Sequence, residues 1–274
     1  MSSTTIQRVV VDHVSRQFGY EEEAVLAIDD VSLSAAPGEF VSLLGPSGCG
    51  KSSLLKIIDG LDRASAGRVL VNDKEVTGPR TDVGFVFQND SLLPWRTVRS
   101  NILMGAEFTG SDMRAARQEA DELLRLTGLQ QFADRYPHQL SGGMRQRANL
   151  ARALLVDPEI LLMDEPFGAL DAQTRELMQA ELLRIWELRK KTVLFVTHQI
   201  EEAVYLSDRV LLMSARPGRI AAEYVIDLPR PRQLEIRHTD EFTAQVHVIW
   251  ERLRDEVLET FRAETQAQAQ EAVA

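Results

Sequence analysis

The chain has 274 residues, of which 44% are hydrophobic and 26% are charged, and its formal net charge is −10. Such a composition is typical of a folded protein with a sizeable core, and the acidic charge argues against a general nucleic-acid binder. The single cysteine, Cys49, excludes an intramolecular disulfide, and no stretch approaches the roughly 18 apolar residues of a membrane span.

The order of predicted elements indicates an α/β protein with a helical insertion. The N-terminus MSSTTIQRVV lacks the basic and apolar regions of a signal peptide. Strands are predicted by β-branched and continuous apolar runs at Gln7–His13, Val31–Leu33, Phe40–Leu44, Val69–Val71, Val83–Phe87, Ile160–Met163, Thr192–Thr197 and Val210–Met213. Helical spacing predicts helices over 53–61, within 90–155, and over 173–189 and 239–262, with a turn at 216–218 and a frayed tail after the last helix.

A glycine-rich turn, GPSGCGKS, follows the strand Phe40–Leu44 and precedes a predicted helix. It fits the phosphate-loop pattern G-x-x-x-x-G-K-[ST] without a mismatch. Gly45 and Gly50 permit a backbone whose N–H groups point at phosphate oxygens, and the helix that follows offers its positive end. Lys51 is expected to reach the β- and γ-phosphates and Ser52 to ligate Mg²⁺. Cys49 is expected to fill space, although a helix N-terminus can also lower the pKa of a thiol.

Two acids end the buried strand Ile160–Met163. Asp164 is expected to hold Mg²⁺ through its water shell, and Glu165 to orient or deprotonate the attacking water. Without the phosphate loop, two acids after a strand indicate only the solvated start of a helix.

The sequence LSGGM, Leu140–Met144, indicates a second anion-binding helix terminus. Ser141 is a suitable N-cap, and Gly142 and Gly143 leave their N–H groups unobstructed. One nucleotide needs only one phosphate loop, so this second terminus requires a ligand of its own.

Together these residues resemble the ATP-binding subunit of ABC transporters over roughly residues 8–235. GPSGCGKS resembles the Walker A motif, LLMDE the Walker B motif and LSGGM the family signature, with Met144 where Gln is commoner. Gly168–Asp171 is similar to the D-loop, His198 to the switch histidine and Gln88 to the Q-loop glutamine. The resemblance implies the P-loop NTPase (RecA-like) fold of an ABC cassette, with an N-terminal antiparallel β-subdomain and an inserted α-helical subdomain at about 89–155. Residues 236–274 then form a C-terminal helical tail.

The resemblance also implies the ligands, which are ATP and Mg²⁺. It assigns catalysis to Lys51, Gln88, Glu165 and His198, and the metal to Ser52, Gln88 and Asp164. Nucleotide contacts are implied for Phe18, Gly45, Pro46, Ser47, Gly48, Cys49, Gly50, Lys51, Ser52, Ser53, Ser141, Gly142, Gly143 and Asp171. Phe18 looks like the aromatic residue that stacks on adenine; Tyr20 is the fallback, and a Phe18 packed in the core is the alternative.

In this family two subunits dimerise head to tail, with ATP between Walker A of one and the signature of the other. The resemblance therefore explains Ser141 and Gly143 as ligands of the γ-phosphate held by a second copy. Met144 lacks the amide of Gln, whereas the backbone donors of Gly142 and Gly143 are unaffected.

Three classes of protein compete: the motor subunit of a membrane importer, a non-transport ABC ATPase that acts on ribosomes or DNA, and an unrelated P-loop kinase or GTPase. The last has no use for LSGGM. The second usually brings two cassettes or a long coiled coil, which this chain lacks.

FQNDSLLPWRTVRSNI and VTHQIEEAVYLSDRVLLMSARPGRI look like importers of nitrate, taurine and alkanesulfonates, or of riboflavin or pyrimidine precursors. The tail after Arg232 is too short for the regulatory domain of some importers, and its helix is expected to pack on the cassette or to contribute to the dimer.

An apolar loop, Leu92-Leu93-Pro94-Trp95, follows Gln88. Because Pro94 disfavours a regular helix or a central strand, this loop exposes apolar side chains unless the core covers some of them. We predict that Leu93, Pro94 and Trp95 form a groove for a cytoplasmic helix of a separate permease. That partner would place the chain at the cytoplasmic face of the membrane and link it indirectly to a solute-binding protein, with no nucleic-acid partner.

Overall fold

A computed structural model describes residues 7–19, 24–89 and 91–271. Its strands are β1 Val9–Phe18, β2 Val25–Ala35, β3 Phe40–Leu44, β4 Ala66–Val71, β5 Lys74–Glu75, β6 Val83–Val86, β7 Ile160–Asp164, β8 Thr192–Thr197, β9 Arg209–Met213 and β10 Ile220–Val225. Its α-helices are α1 Lys51–Asp59, α2 Val98–Thr109, α3 Met113–Leu126, α4 Gly142–Leu154, α5 Ala172–Arg189, α6 Ile200–Leu206 and α7 Asp240–Glu271.

The larger sheet has the strand order β10-β9-β3-β8-β7-β6 and is parallel except for the antiparallel edge strand β10. Its central strands β3, β7 and β8 are buried along their whole length, as their continuous apolar sequences predict. In the register, Leu44 of β3 is opposite Thr197 of β8, and Asp164 of β7 is opposite Val196. The ends of these three strands therefore meet at one edge, where ligands bind in open α/β sheets.

The smaller sheet is antiparallel, with the order β2-β1-β4-β5. One apolar cluster lies between this sheet, α1 and one face of the larger sheet, and includes Val14, Ile28, Leu54 and Leu162. A second cluster lies on the opposite face, where α2 to α7 pack. This architecture confirms the predicted ABC cassette fold with an N-terminal antiparallel sheet.

Three helices, α2, α3 and α4, occupy the chain between β6 and β7 and pack on one another. Their apolar faces join the second cluster through residues such as Ile102, Leu123 and Leu150. No helix in the described ranges has the length and apolar character needed to cross a membrane.

The C-terminal helix α7 packs on α6. Phe242 and Ile249 are buried in the second cluster, and Val246 and Leu253 are partly buried against it. The prediction that this helix packs on the cassette is therefore confirmed. The helix continues to Glu271, so its predicted end at residue 262 and the frayed tail up to residue 271 were wrong.

Several predicted boundaries were also wrong. Strands β1 and β2 extend to Phe18 and back to Val25, well beyond the predicted segments Gln7–His13 and Val31–Leu33. Both extensions have polar and exposed positions, and register shifts interrupt their pairing, so alternation is lost. Helix α1 begins at Lys51 and ends at Asp59, two residues earlier than predicted at each end.

Candidate nucleotide-binding site

The phosphate loop connects β3 to α1. Gly48 and Gly50 have φ values of +77° and +96°, which side chains rarely adopt. A Cβ atom on Gly50 would lie 2.7 Å from Cγ1 of Ile28 in β2. Glycine is therefore required at position 50 both by the backbone conformation and by the close contact with β2. Gly50 is also the residue that precedes the first turn of α1, so the positive end of that helix faces the loop.

Lys51 lies under this loop and is buried. Its Nζ donates hydrogen bonds to the carbonyl oxygens of Gly45 at 2.8 Å and Pro46 at 2.7 Å. The loop and its lysine thus form one hydrogen-bonded unit, in which an ammonium group lies beside the N–H groups that the motif aims at phosphates.

Cys49 is 1% exposed, which agrees with a space-filling role. Burial raises the pKa of its thiol, although the nearby Lys51 opposes this effect. The alternative, a lowered pKa of the thiol, was therefore wrong, because the loss of solvation outweighs the effect of Lys51.

Ser52 and Asp164 join the phosphate loop to the end of β7. The Ser52 hydroxyl donates to Oδ1 of Asp164 at 2.8 Å. Burial raises the pKa of Asp164, and the hydrogen bond from Ser52 opposes the increase. A hydroxyl and a carboxylate in contact beside a phosphate loop are hard oxygen donors, so this pair fits the chemistry of Mg²⁺.

Glu165 and His198 meet at the same edge of the sheet. His198 follows β8, and its Nδ1 lies 3.1 Å from Oε2 of Glu165. Glu165 has a φ of +44°, and its N–H donates to the carbonyl oxygen of Val196 at 3.0 Å. This backbone bond to β8 holds the acid and the histidine side by side, as the register of β7 and β8 requires.

Buried polar contacts support the segment that carries His198. The Thr197 hydroxyl donates to Glu202 of α6, and Nε2 of Gln179 in α5 donates to the same carboxyl group at 2.7 Å. Burial raises the pKa of Glu202, while both hydrogen bonds oppose the increase. On the other side, Arg175 donates to Oε1 of Gln199 at 3.1 Å. Two side chains one turn apart on α5 therefore fix the residues that flank His198.

A cleft of about 470 Å³ opens beside the phosphate loop. Its lining comprises Phe18, Val25, Ala27, Ser47, Gly48, Gly50, Lys51, Ser52, Ser53, Gln88, Glu165 and Arg216. Phe18 is 41% exposed and Cζ of Arg16 lies 4.5 Å from its ring centroid, so the alternative of a core-packed Phe18 was wrong. Tyr20, the fallback, lies outside the described residues. The cleft thus combines an aromatic ring with a phosphate loop, as a nucleotide requires.

The signature forms the N-terminus of α4, away from this cleft. Oγ of Ser141 accepts a hydrogen bond from the N–H of Met144 at 3.3 Å, which confirms Ser141 as the N-cap. Ser141 and Gly142 are exposed, whereas a Cβ on Gly143 would lie 2.8 Å from Cγ2 of Thr174. The Met144 side chain packs against the core. The free helix terminus is therefore built mainly from Ser141, Gly142 and backbone N–H groups.

Asp171 caps α5 and accepts a hydrogen bond from the N–H of Thr174 at 3.0 Å. The hydrogen bond from the Thr174 backbone lowers the pKa of Asp171. Arg175, one turn later, donates to the carbonyl oxygen of Leu170 at 2.7 Å as well as to Gln199. The segment 168–171 is thereby connected to the segment that carries His198.

The apolar loop after Gln88 is divided between the core and the surface. Leu92 is 7% exposed and belongs to the core, so it is one of the four residues, some of which the core was expected to cover. Leu93 is half-buried, Pro94 is exposed, and Trp95 is 70% exposed. Asn101 of α2 is fully buried and fastens this loop: its Oδ1 accepts from the N–H of Leu93 at 2.8 Å, and its Nδ2 donates to the carbonyl oxygen of Arg96 at 3.0 Å.

The structure brings Gln88, Lys51, Ser52, Asp164, Glu165 and His198 together at one edge of the sheet, as predicted from the motifs. Phe18 lines the same cleft, while Ser141 and Asp171 are not among its lining residues. Sequence reasoning missed Arg216 and Asn101. Arg216 was recognised only as part of a turn, and Asn101 carries no signal other than a polar residue in an apolar helix face.

Comparison with known proteins assigns this chain to a family. The family model described as ABC transporter matches residues 28–168. The chain is 50% identical over 221 residues to the taurine import ATP-binding protein TauB of Rhizobium johnstonii, which covers 80% of this chain and 84% of the relative. It is 46% identical over 224 residues to the aliphatic sulfonates import ATP-binding protein SsuB of Bacillus cereus, covering 82% of this chain and 88% of the relative.

Among solved structures, the chain resembles the ATP-binding cassette MJ0796, described as a dimer in a post-hydrolysis state bound to ADP and Pi. The TM-score is 0.70 at 34% identity, and the match covers 81% of this chain and 100% of the other.

Proposed function

Because this chain belongs to the ABC transporter family and is an ATP-binding ATPase, we propose that it is the motor subunit of an importer for a small sulfonate or related anion. The observation that best supports an ATP-hydrolysing site is the contact between Glu165 and His198 beside the phosphate loop. The names of the relatives, which import taurine and aliphatic sulfonates, support the cargo class.

The phosphate loop binds the triphosphate in this proposal. Its backbone N–H groups and the N-terminus of α1 surround the α- and β-phosphates, and Lys51 reaches the β- and γ-phosphates. Ser52 and Asp164, with Gln88 nearby, would hold Mg²⁺, which supplies charge neutralisation on the phosphates when it is bound. Phe18, which lines the cleft, stacks on the adenine ring.

Glu165 and His198 act on the γ-phosphate side. Glu165 orients the attacking water and accepts its proton, while His198 donates a hydrogen bond to the transferring phosphoryl group. The two side chains are already 3.1 Å apart, so each fixes the orientation of the other before the nucleotide binds.

The site is completed by a second copy of the chain. Ser141 and the N–H groups of Gly142 and Gly143 form a helix terminus that carries no internal phosphate loop, and they would bind the γ-phosphate held by the other copy. The dimeric structure of the related cassette MJ0796 supports this arrangement. Asp171 caps the start of α5 and would face the second copy.

We further propose that a permease docks on Leu93, Pro94 and Trp95. Leu93 lies five positions after Gln88 in the sequence, so we expect nucleotide-dependent movement of Gln88 to be transmitted along the chain to this loop. A buried Asn101 keeps the loop in a single conformation for its partner. The chain would then work at the cytoplasmic face of the membrane, with the solute-binding protein on the other side and no nucleic-acid partner.

The domain limits of the proposal are a cassette over 1–235, with its helical part at about 89–155, and a tail over 236–274. Nitrate, riboflavin and pyrimidine precursors are alternative cargoes, since the cassette does not contact the solute.

The experiment replaces the gene in the source organism with the Glu165→Gln variant and follows uptake of labelled taurine, ethanesulfonate and nitrate. The proposal predicts that uptake of at least one sulfonate is lost while the protein remains at the membrane. Normal uptake of all three, together with co-sedimentation of the chain with ribosomes, would favour the non-transport ATPase instead.

A further inference from the structure

The turn between β9 and β10, residues 214–219, packs directly on the phosphate loop. A Cβ on Gly218 would lie 1.9 Å from the carbonyl oxygen of Cys49. The N–H of Gly218 donates to the carbonyl oxygen of Ala27 at 3.0 Å, and the N–H of Asp29 donates to the carbonyl oxygen of Gly218 at 3.0 Å. The turn is therefore fixed between β2 and the phosphate loop.

Arg216 projects from this turn onto the loop itself. Its Nε donates to the carbonyl oxygen of Gly48 at 3.0 Å. A Cβ on Gly48 would lie 2.6 Å from Nη2, so the guanidinium lies directly over this glycine. The side chain is exposed and lines the nucleotide cleft, where Lys51 is the other described cation.

Neighbouring arginines have other partners. Arg16 pairs with Asp62 at 2.9 Å and lies over Phe18, and Arg219, on the same turn as Arg216, pairs with Asp29. Within the described ranges, Arg216 has no acidic partner. Its charge is therefore directed at the phosphate loop and at whatever anion the cleft holds.

This position has two physical consequences. A charged donor on the Gly48 carbonyl polarises the peptide that joins Gly48 to Cys49, so the Cys49 N–H becomes a stronger donor towards phosphate. The guanidinium also adds a second positive charge to a cleft that receives a highly charged anion.

From this geometry we propose that Arg216 is a further phosphate-binding residue of the nucleotide site, serving the α- and β-phosphates. The backbone of a phosphate loop surrounds these two phosphates, whereas its lysine reaches towards the γ-phosphate. The Arg216 contact is with Gly48 in that backbone. ATP and ADP therefore benefit equally from Arg216. This inference rests on the proposed nucleotide site.

The test is a titration of Arg216→Ala, Arg216→Lys and Arg219→Ala with MgATP and with MgADP by calorimetry. Arg216→Ala should weaken both nucleotides by a similar factor of roughly ten or more, because a hydrogen bond to a charged group is lost. Arg216→Lys keeps the charge and should recover part of the affinity. Arg219→Ala, on the same turn but outside the cleft, should leave both affinities unchanged.

Thermal unfolding of each variant without nucleotide checks the fold, and Arg216→Gln replaces the alanine variant if that one does not fold. Unchanged affinities in Arg216→Ala, a loss for MgATP alone, or an equal loss in Arg219→Ala would overturn the inference. The Lys51→Ala variant tests the nucleotide site separately from the role of Arg216. Normal nucleotide binding by Lys51→Ala would refute the nucleotide site itself. Weak binding in Lys51→Ala with normal binding in Arg216→Ala refutes only the role of Arg216.

Discussion

The hydroxyl of Ser52 donates a hydrogen bond to Oδ1 of Asp164 at 2.8 Å, across 112 residues of sequence. This contact joins the first turn of α1 to the last residue of β7, which lies next but one to β3 in the larger sheet. The two oxygen atoms that we propose as ligands of Mg²⁺ are thereby held together beside the phosphate loop.

Ser52→Ala should raise the Mg²⁺ concentration needed for half-maximal ATP hydrolysis. The variant loses one hard oxygen ligand and also the hydrogen bond that orients the Asp164 carboxylate. Loss of a residue that orients a metal ligand typically lowers metal affinity by about 10- to 100-fold. The measurement is a Mg²⁺ titration of ATPase activity at fixed ATP, with nucleotide binding in EDTA as the control. An unchanged Mg²⁺ dependence would remove Ser52 from the metal site.

The two signature glycines should behave differently. Outside its own helix backbone and chain neighbours, the nearest described atom to a Cβ on Gly142 would be Cδ2 of Leu170 at 3.6 Å, whereas a Cβ on Gly143 would lie 2.8 Å from Cγ2 of Thr174. Gly143→Ala should therefore destabilise the isolated chain by about 1 to 3 kcal/mol. Gly142→Ala should leave the stability of the chain intact or slightly raised. It should nevertheless weaken ATP-dependent dimerisation, because the added methyl group would lie where the proposed dimer places the γ-phosphate of the other copy. Urea unfolding and light scattering with ATP measure the two effects. Dimerisation of Gly142→Ala at the parent's affinity would argue against the shared site.

Trp95→Ala should spare ATP binding and weaken assembly with the permease. The Trp95 side chain is 70% exposed, and truncation of a central aromatic anchor typically costs about 2 kcal/mol or more of binding free energy. Leu177→Ala is the matched control, since Leu177 is also an exposed apolar residue, at 65%, but lies on α5. Affinity is measured by pull-down of detergent-solubilised permease. Equal losses in the two variants would show that the surface contact is not specific to the loop.

Asp59, the last residue of α1, should make the fold less stable as pH rises. Burial raises the pKa of its carboxyl group from 3.8 to about 6, and the negative end of the helix is nearby. The folded state therefore binds the proton more tightly than the unfolded state, so stability is lost as pH rises from about 4 to about 6. Asp59→Asn removes this cost and should be more stable than the parent by roughly 1 to 3 kcal/mol at pH 7 to 8. Urea unfolding across pH 4 to 8 measures the difference, and a variant less stable than the parent at pH 8 would contradict the account.

Much of this arrangement follows from sequence, because its strongest signals are local. The phosphate loop, the strands β3, β7 and β8, and the N-cap Ser141 each depend on a few consecutive residues. Parallel strands that end in functional residues must then bring those residues to one edge.

The remainder depends on contacts that no local pattern records. The bond between Arg216 and Gly48 spans 168 residues, and it exists because the turn after β9 is fixed between β2 and the loop. Likewise, the run of apolar residues and proline at 92–95 does not show from sequence alone which of the four side chains is buried in the core. The buried amide of Asn101 decides the path of that loop, and Leu92 enters the core as a result.

Our proposal is that the chain hydrolyses ATP with Glu165 in a site completed by a second copy. It is tested most directly by the mass of the Glu165→Gln variant in solution, measured by light scattering with and without MgATP. Because Gln cannot accept the proton of the water, hydrolysis should fall on the order of 10²-fold or more, while binding persists. With MgATP we expect a particle of twice the 30.8 kDa of one chain, and without MgATP a smaller species. Binding of ATP without any increase in mass, or hydrolysis at the parent's rate, would contradict it.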